Sequence, residues 1–316
     1  MVPAKSYTEI MTAIPSEGAV AICSSIHALL RTPVPPGAKD GTASPAEMDK
    51  LKAAFREACE LGTSLAQVCG SWDSTATIYR QQWDLHHGRA FDPGRLDSLA
   101  DRGLTDPNLL AYVREIMEFG VSNHADVDLP TSAPLRPPHA SVLGSCGKII
   151  GTLFSEASEG GVTLFTTKAQ DSLKVYSSPP AAVPKRDLLG RPKDSVRIIM
   201  DLAARGRGQP SANDSHQTDL HPGAWVTNVR VLSGRVIDLV KELPGVPVKT
   251  AKVDISSAFR RIYHDLNTAR TIGPTLPVSA FYMLLHDALL IYPSLSMPTT
   301  CPLIDILTIS SHVNTH

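Results

Sequence analysis

The order of hydrophobic patterns predicts an α+β fold in which a helical region leads into a mixed layer of strands and helices. Helix-period apolar stripes with capping residues dominate the chain before Gly160. After Gly161 the pattern changes to short β-prone runs divided by turn residues. At 316 residues the chain is long enough to bury a sizeable core in one or two domains.

Residues 1–43 show weak periodicity and contain a Pro/Gly-rich run, Thr32 to Gly41, that reads as a linker. Ser44-Pro45-Ala46-Glu47 then starts a helix: serine caps, proline occupies the first turn and Glu47 reaches back. Met48, Leu51, Phe55 and Ala58 form its apolar stripe. A second helix begins near Asp106-Pro107, carries Leu110, Val113, Ile116 and Met117, and stops at Gly120. A proline-rich connection precedes a third helical stretch with Leu143, Ile149, Ile150, Leu153 and Phe154, closed by Gly160-Gly161. Strands are expected over Val162 to Phe165, Ala181 to Val183, Val196 to Met200 and Val246 to Ile255. One more helix, about Val229 to Leu243, ends at Pro244-Gly245.

Bulk composition narrows the function classes. With 30 basic and 31 acidic residues the net charge is −1, so no global positive field marks the chain as a coat protein for nucleic acid. A local basic groove stays open. Five scattered cysteines without a CxxC pair read as reduced, mostly buried thiols of an intracellular protein, cytoplasmic or nuclear. The run Ala19 to Leu30 comes late and contains His27, so it is a poor secretion signal. The apolar run Val278 to Tyr292 is interrupted by His286 and Asp287 and closed by Pro293, so no membrane partner is expected.

Chemistry concentrates between Pro179 and Tyr263. From Ala182 to Pro210 there are seven basic residues (Lys185, Arg186, Arg191, Lys193, Arg197, Arg205 and Arg207) against three aspartates. They fall on an expected hairpin with Leu189-Gly190-Arg191-Pro192 as its turn. A hairpin of this kind places Lys185 and Arg197 on neighbouring strands, able to face a polyphosphate or a nucleic-acid backbone. Charge count by itself favours a solvated hairpin whose charges protect a sheet edge. Downstream, Asp254 stands in the β-prone run Lys252-Val253-Asp254-Ile255, where a carboxylate at a strand end offers the hard oxygen that Mg²⁺ prefers.

In chain order these features resemble the fingers and first palm motif of reverse transcriptases from retroelements of the Ty3-like and DIRS-like kinds. The residues are Pro179 to Lys185 (Pro-Pro-Ala-Ala-Val-Pro-Lys), Arg197 to Leu202, Ser211-Ala212-Asn213-Asp214, and Asp254 to Arg260 (Asp-Ile-Ser-Ser-Ala-Phe-Arg). The likeness spans about residues 105–272. Ala203-Ala204 stands where the family has serine after Asp-Leu, and Ala212 where it has valine. The resemblance implies a partial polymerase fingers and palm with an incomplete palm sheet. Residues 1–104 would be a helical or linker region of unassigned role, 105–275 the fingers and start of the palm, and 276–316 a poorly ordered tail. It further implies that Lys185 and Arg197 contact the incoming dNTP, that Asp254 is the first catalytic aspartate and binds Mg²⁺ with the Ile255 carbonyl close by, and that Phe259 excludes a ribose 2′-hydroxyl. Asp201 and Asn213 take structural roles in the fingers loop. The implied partners are an RNA or DNA template-primer and dNTPs.

No Tyr-x-Asp-Asp follows, and after Asp265 the only acids are the solitary Asp287 and Asp305. Two-metal phosphoryl transfer needs a second carboxylate to clamp both ions. The tail from Leu276 contains no Lys, Arg or Glu, which reads as out-of-frame or intronic sequence or as a hydrophobic docking segment. The expected function is that of a truncated reverse-transcriptase-like domain, with an active polymerase completed by another frame and a non-enzymatic helical interaction protein as alternatives. Asp84, His86 and His87 read as helix-end residues rather than metal ligands, and Trp72, Trp83 and Trp225 as packing residues. Primer extension on a homopolymer template tests the missing motif. Neither the native chain nor Asp254→Ala should extend the primer, and extension that Asp254→Ala abolishes would show a complete catalytic core.

Overall fold

The computed structural model describes residues 5–88, 96, 107–122, 137–169, 173–187, 189–206, 209–215, 229–247, 264–270, 273–276 and 288–291. The chain divides into two units, residues 1–218 with 259–295 and residues 219–258 with 296–316. Both helix and strand are present, in keeping with an α+β class.

Serine caps open the N-terminal helices. Ser6 forms a capping box with Glu9 at the start of α1 (Tyr7–Thr12), and Ser16 accepts from the Ala19 amide at the start of α2 (Glu17–Leu30). Ser44 and Glu47 cap α3 (Pro45–Cys69) reciprocally, the Ser44 amide donating to Glu47 at 2.9 Å. Gly70, at φ 72°, ends that helix, and Ser71 immediately caps α4 (Trp72–His87). Helices α1 and α2 lie where weak periodicity left no helix expected. Their signal is faint because the buried stripe of α2 includes Ala19 and Cys23, small residues that add little hydrophobic contrast. The expected linker also packs. Ala38 is fully buried against Gly151, and the Lys39 ammonium donates to the Ser155 hydroxyl at 2.7 Å.

The second expected helix is α5 (Pro107–Phe119), closed by Gly120 at φ 87°. A Cβ there would lie 2.5 Å from the His264 backbone, so glycine serves both the turn and the close approach. The third expected stretch divides into α6 (Ala140–Leu143) and α7 (Cys146–Ser158). Leu143, expected on the apolar face, is exposed because α6 ends there, whereas Ile149, Ile150, Leu153 and Phe154 are buried.

Strand β1 (Thr163–Thr166) is buried on both faces. Leu164 enters the main core with Leu51, Phe55 and Leu65 of α3 and Leu153 of α7, while Phe165 joins a second cluster with Ala66, Trp72 and Leu173. Strand β2 (Ser177–Ser178) precedes the hairpin β3 (Pro180–Arg186) and β4 (Pro192–Met200). Later come α9 (Leu266–Ala269), capped by Asp265, and the strands β5 (Gly273–Leu276) and β6 (Ala288–Ile291). They build a four-stranded sheet in the order β1-β6-β5-β2, antiparallel except for the β2–β5 pair. The tail expected to be poorly ordered thus supplies β6 and the buried Leu276; its remaining residues lie outside those described.

In the second unit α8 (Val229–Glu242) occupies the expected helical span. Beyond it the Val246 amide donates to the Leu243 carbonyl in a turn, so the strand expected from Val246 does not begin there. The rest of that expected strand, 248–255, lies outside the described residues.

Helix α3 packs directly on β1 at Gly62. A Cβ on Gly62 would stand 2.0 Å from the Leu164 carbonyl oxygen. One residue on, the Thr63 hydroxyl accepts from the Thr166 amide at 2.8 Å. Gly62→Ala should lower stability in urea unfolding by about 2–3 kcal/mol, since helix and strand must separate to admit one methyl group. An unchanged unfolding midpoint would show that the seam yields freely.

Candidate nucleic-acid interface

The basic hairpin forms with the pairs Ala182↔Ile198, Val183↔Arg197 and Pro184↔Val196. Strand alternation sorts its residues. Ala182 and Val196 turn inward to the main core, whereas Val183, Arg197 and Ile199 face outward. A register shift falls between Pro184 and Arg186, and Lys185 sits at it, exposed, two residues beyond the partner of Arg197. Lys185 and Arg197 are therefore on adjacent strands, as the spacing predicts.

The hairpin is seated from below by the helices before it. The His139 amide donates to the Pro180 carbonyl at 3.0 Å, and the Ala182 amide donates to the Ser141 hydroxyl at 3.1 Å. The Lys148 ammonium donates to the Asp194 carbonyl at 2.5 Å. These contacts fix both strands on α6 and α7, and among the described residues Val183, Lys185, Arg197 and Ile199 stay exposed.

Some of the basic residues hold the hairpin together. Asp187 accepts from the Leu189 and Arg191 amides at 2.9 Å each and from the Arg191 guanidinium at 2.7 Å. These bonds, Arg191's first, hold its carboxyl below the usual range. Gly190 supplies the positive φ, and Arg186 donates to its carbonyl at 2.6 Å. Arg205 pairs with Asp214 at 2.7 Å. Lys193 acts on Asp187 through its charge alone, whereas among the described residues no side-chain hydrogen bond or ion pair engages Lys185 or Arg197. Arg207 lies outside the described residues.

The loop after β4 folds back on itself. Asp201 accepts from the Ala203 amide and meets His139 at 3.2 Å, and its own amide donates to the Pro179 carbonyl at 2.9 Å. The Asn213 amide donates to the Leu202 carbonyl at 3.0 Å, and the Tyr176 hydroxyl donates to the Pro210 carbonyl. The Asp201 carboxylate thus ties loop backbone, whereas Asn213 joins the loop through its main-chain amide and is itself exposed. Asp214 accepts from the Ser211 amide at 2.8 Å and from Arg205, which brings its pKa down to about 2. His139 could not be found from the sequence, since it lies 62 residues from its partner Asp201.

Asp254, Ile255 and Phe259 lie outside the described residues. Among those described, no group of three His, Cys, Asp or Glu side chains is placed to hold a metal ion. No family model, no curated protein and no solved structure matches the chain. The site stands on its own geometry.

Other candidates resolve plainly. His86 and His87 are exposed at the end of α4, whereas Asp84 is buried 4.0 Å from the Arg80 guanidinium, so the three do not converge. Trp72 and Trp83 are buried, the Trp72 indole donating to the Leu266 carbonyl at 2.5 Å; Trp225 lies outside the described residues. Cys23, Cys59, Cys69 and Cys146 are unpaired thiols, and Cys301 lies outside the described residues. No helix among the described residues is long and apolar enough to cross a membrane.

Asp214→Asn should speed hydrogen exchange at the Ser211 amide at neutral pH. In the native chain the same loosening should come only with acid. The folded pKa is depressed, so the contribution is whole above the ordinary value of 3.8 and is lost as pH falls through about 2. Equal exchange in both proteins at pH 7 would remove Asp214 as the loop's anchor.

Proposed function

We propose that this chain is a reverse-transcriptase-like fingers fragment of a mobile element that grips the phosphates of a template-primer or a dNTP through the outer face of the β3–β4 hairpin. The observation that supports this reading most is the pairing of Val183 with Arg197, which brings Lys185 and Arg197 onto adjacent strands as exposed cations. A solvated hairpin that merely protects an edge would satisfy its cations with local acids, as Arg191 does with Asp187. Lys185 and Arg197 have no such side-chain partner among the described residues, and an arginine fork matched to a phosphate is a stronger contact than a lone exposed charge.

The chemistry assigned to this chain is binding without polymerisation. Asp254 would supply one carboxylate to Mg²⁺, and the sequence carries no Tyr-x-Asp-Asp to supply the pair that in-line transfer needs. Since Asp254 is not among the described residues, no catalytic step is assigned to it.

Phosphate contacts release counterions, so affinity for a primer-template duplex should fall steeply with salt. The double variant Lys185→Ala/Arg197→Ala should flatten the slope of log K against log[salt] by about 0.7–0.9 for each cation lost. It should also weaken protection of the chain by dNTP in limited proteolysis. Both side chains are exposed, so the variant should unfold at the native midpoint. Salt-insensitive binding, or none by the native chain, would remove the proposal.

A further inference from the structure

Helices α2 and α4 meet over a cluster of rings centred on His27. This histidine is 5% exposed, and neither ring nitrogen has a hydrogen-bond partner among the described residues. Four rings of α4 surround it edge-on: Tyr79 at 6.4 Å, Trp83 at 5.2 Å, His86 at 4.9 Å and His87 at 5.7 Å between centroids. Trp83 in turn stacks on His87 at 4.0 Å. A neutral imidazole fits this setting with two orphaned nitrogens. A protonated one would bring a charge and a second buried N–H without an acceptor, which is a far larger penalty.

The charges around it give no relief. Those acting on His27 are His86 and His87 from α4 and Arg31 from its own helix, all cationic when charged. Cys23, one turn back on α2, is a buried thiol that feels Cys69 of α3, and burial pushes it up to about 12, so it stays neutral. The Tyr79 hydroxyl is likewise kept neutral by burial. Asp84, the acid nearest along α4, has a fully buried side chain committed to Arg80. Aromatic neighbours such as Trp83 can offer an imidazolium about 0.5–2 kcal/mol in general. Burial and like charge outweigh it and bring His27 down to about 4.

We propose that His27 is an acid-sensitive latch, holding α2 against α4 while neutral and driving the two helices apart when it takes up a proton. The unfolded chain has an ordinary histidine there, with a pKa of 6.5, and so binds more protons than the folded chain below that value. The folded pKa is depressed, so stability from the latch is whole above 6.5 and drains away as pH falls towards 4. His87 is exposed at the helix end but partly desolvated where its ring stacks on Trp83. That desolvation and His86 hold it below its usual value, and it drains in the same direction.

The test is an NMR titration of the His27 Cε1–H resonance in the full chain, with thermal unfolding at pH 7.5 and pH 5. His27 should titrate below pH 5, and the native Tm should drop by on the order of 5 °C over that interval. His27→Phe keeps the ring but takes no proton, and should lose less than half as much. A His27 resonance that titrates near 6.5 would overturn the latch, as would a His27→Phe variant that loses as much as the native chain. Should the variant fail to fold, the native titration decides alone.

Discussion

Helix α3 lies so close to β1 that no side chain fits between Gly62 and the Leu164 carbonyl oxygen. The Thr63 hydroxyl both accepts from the Thr166 amide and pairs with the Thr166 hydroxyl at 2.9 Å, both bonds being buried. Much of the first unit depends on this seam. One face of β1 sends Leu164 into the core that α2, α3 and α7 share with the hairpin, and the other sends Phe165 into the cluster around Trp72 and Ala269. Shifting the strand by one residue would exchange the two faces.

The hairpin takes its direction from that core. Ala182 and Val196 are drawn inward as apolar residues, and strand alternation then leaves Val183, Arg197 and Ile199 outward. Backbone bonds from His139 and to Ser141 and Lys148 secure its position without using the cations on its outer face. The same device that builds the core thus presents the charges, and the outward cationic face arises from packing with no separate arrangement. The proposed latch at His27 belongs to the opposite kind of site, a polar group kept in the interior by aromatic and imidazole rings. Its own ring nitrogens have no hydrogen-bond partners among the described residues.

Much of this was legible in the residues themselves. Ser44, Pro45 and Glu47 announce α3, Gly120 and Gly160 mark helix ends, and Asp187 with Gly190 marks the turn, because each acts on backbone within a few positions of itself. Helices α1 and α2 were not legible. The stripe of α2 is built partly of Ala19 and Cys23, and its burial is supplied by α3 and α4. Strand β6 was hidden for a related reason. Its pairing partners are β1 and β5, and β1 lies more than a hundred residues away along the chain.

The candidate interface divides along the same line. By itself the sequence determined that a hairpin would carry Lys185 and Arg197 on neighbouring strands, since turn chemistry and β-period are local properties. Tertiary structure alone decided that Arg186, Arg191 and Arg205 would be spent on turn and loop bonds, that Asp201 would meet His139, and that His27 would be enclosed by four rings. The meeting of Asp201 with His139 and the enclosure of His27 depend on distances between segments far apart in the chain, which packing sets and residue order does not. The arginine bonds are short in sequence, but which cation takes which acceptor follows from the turn geometry.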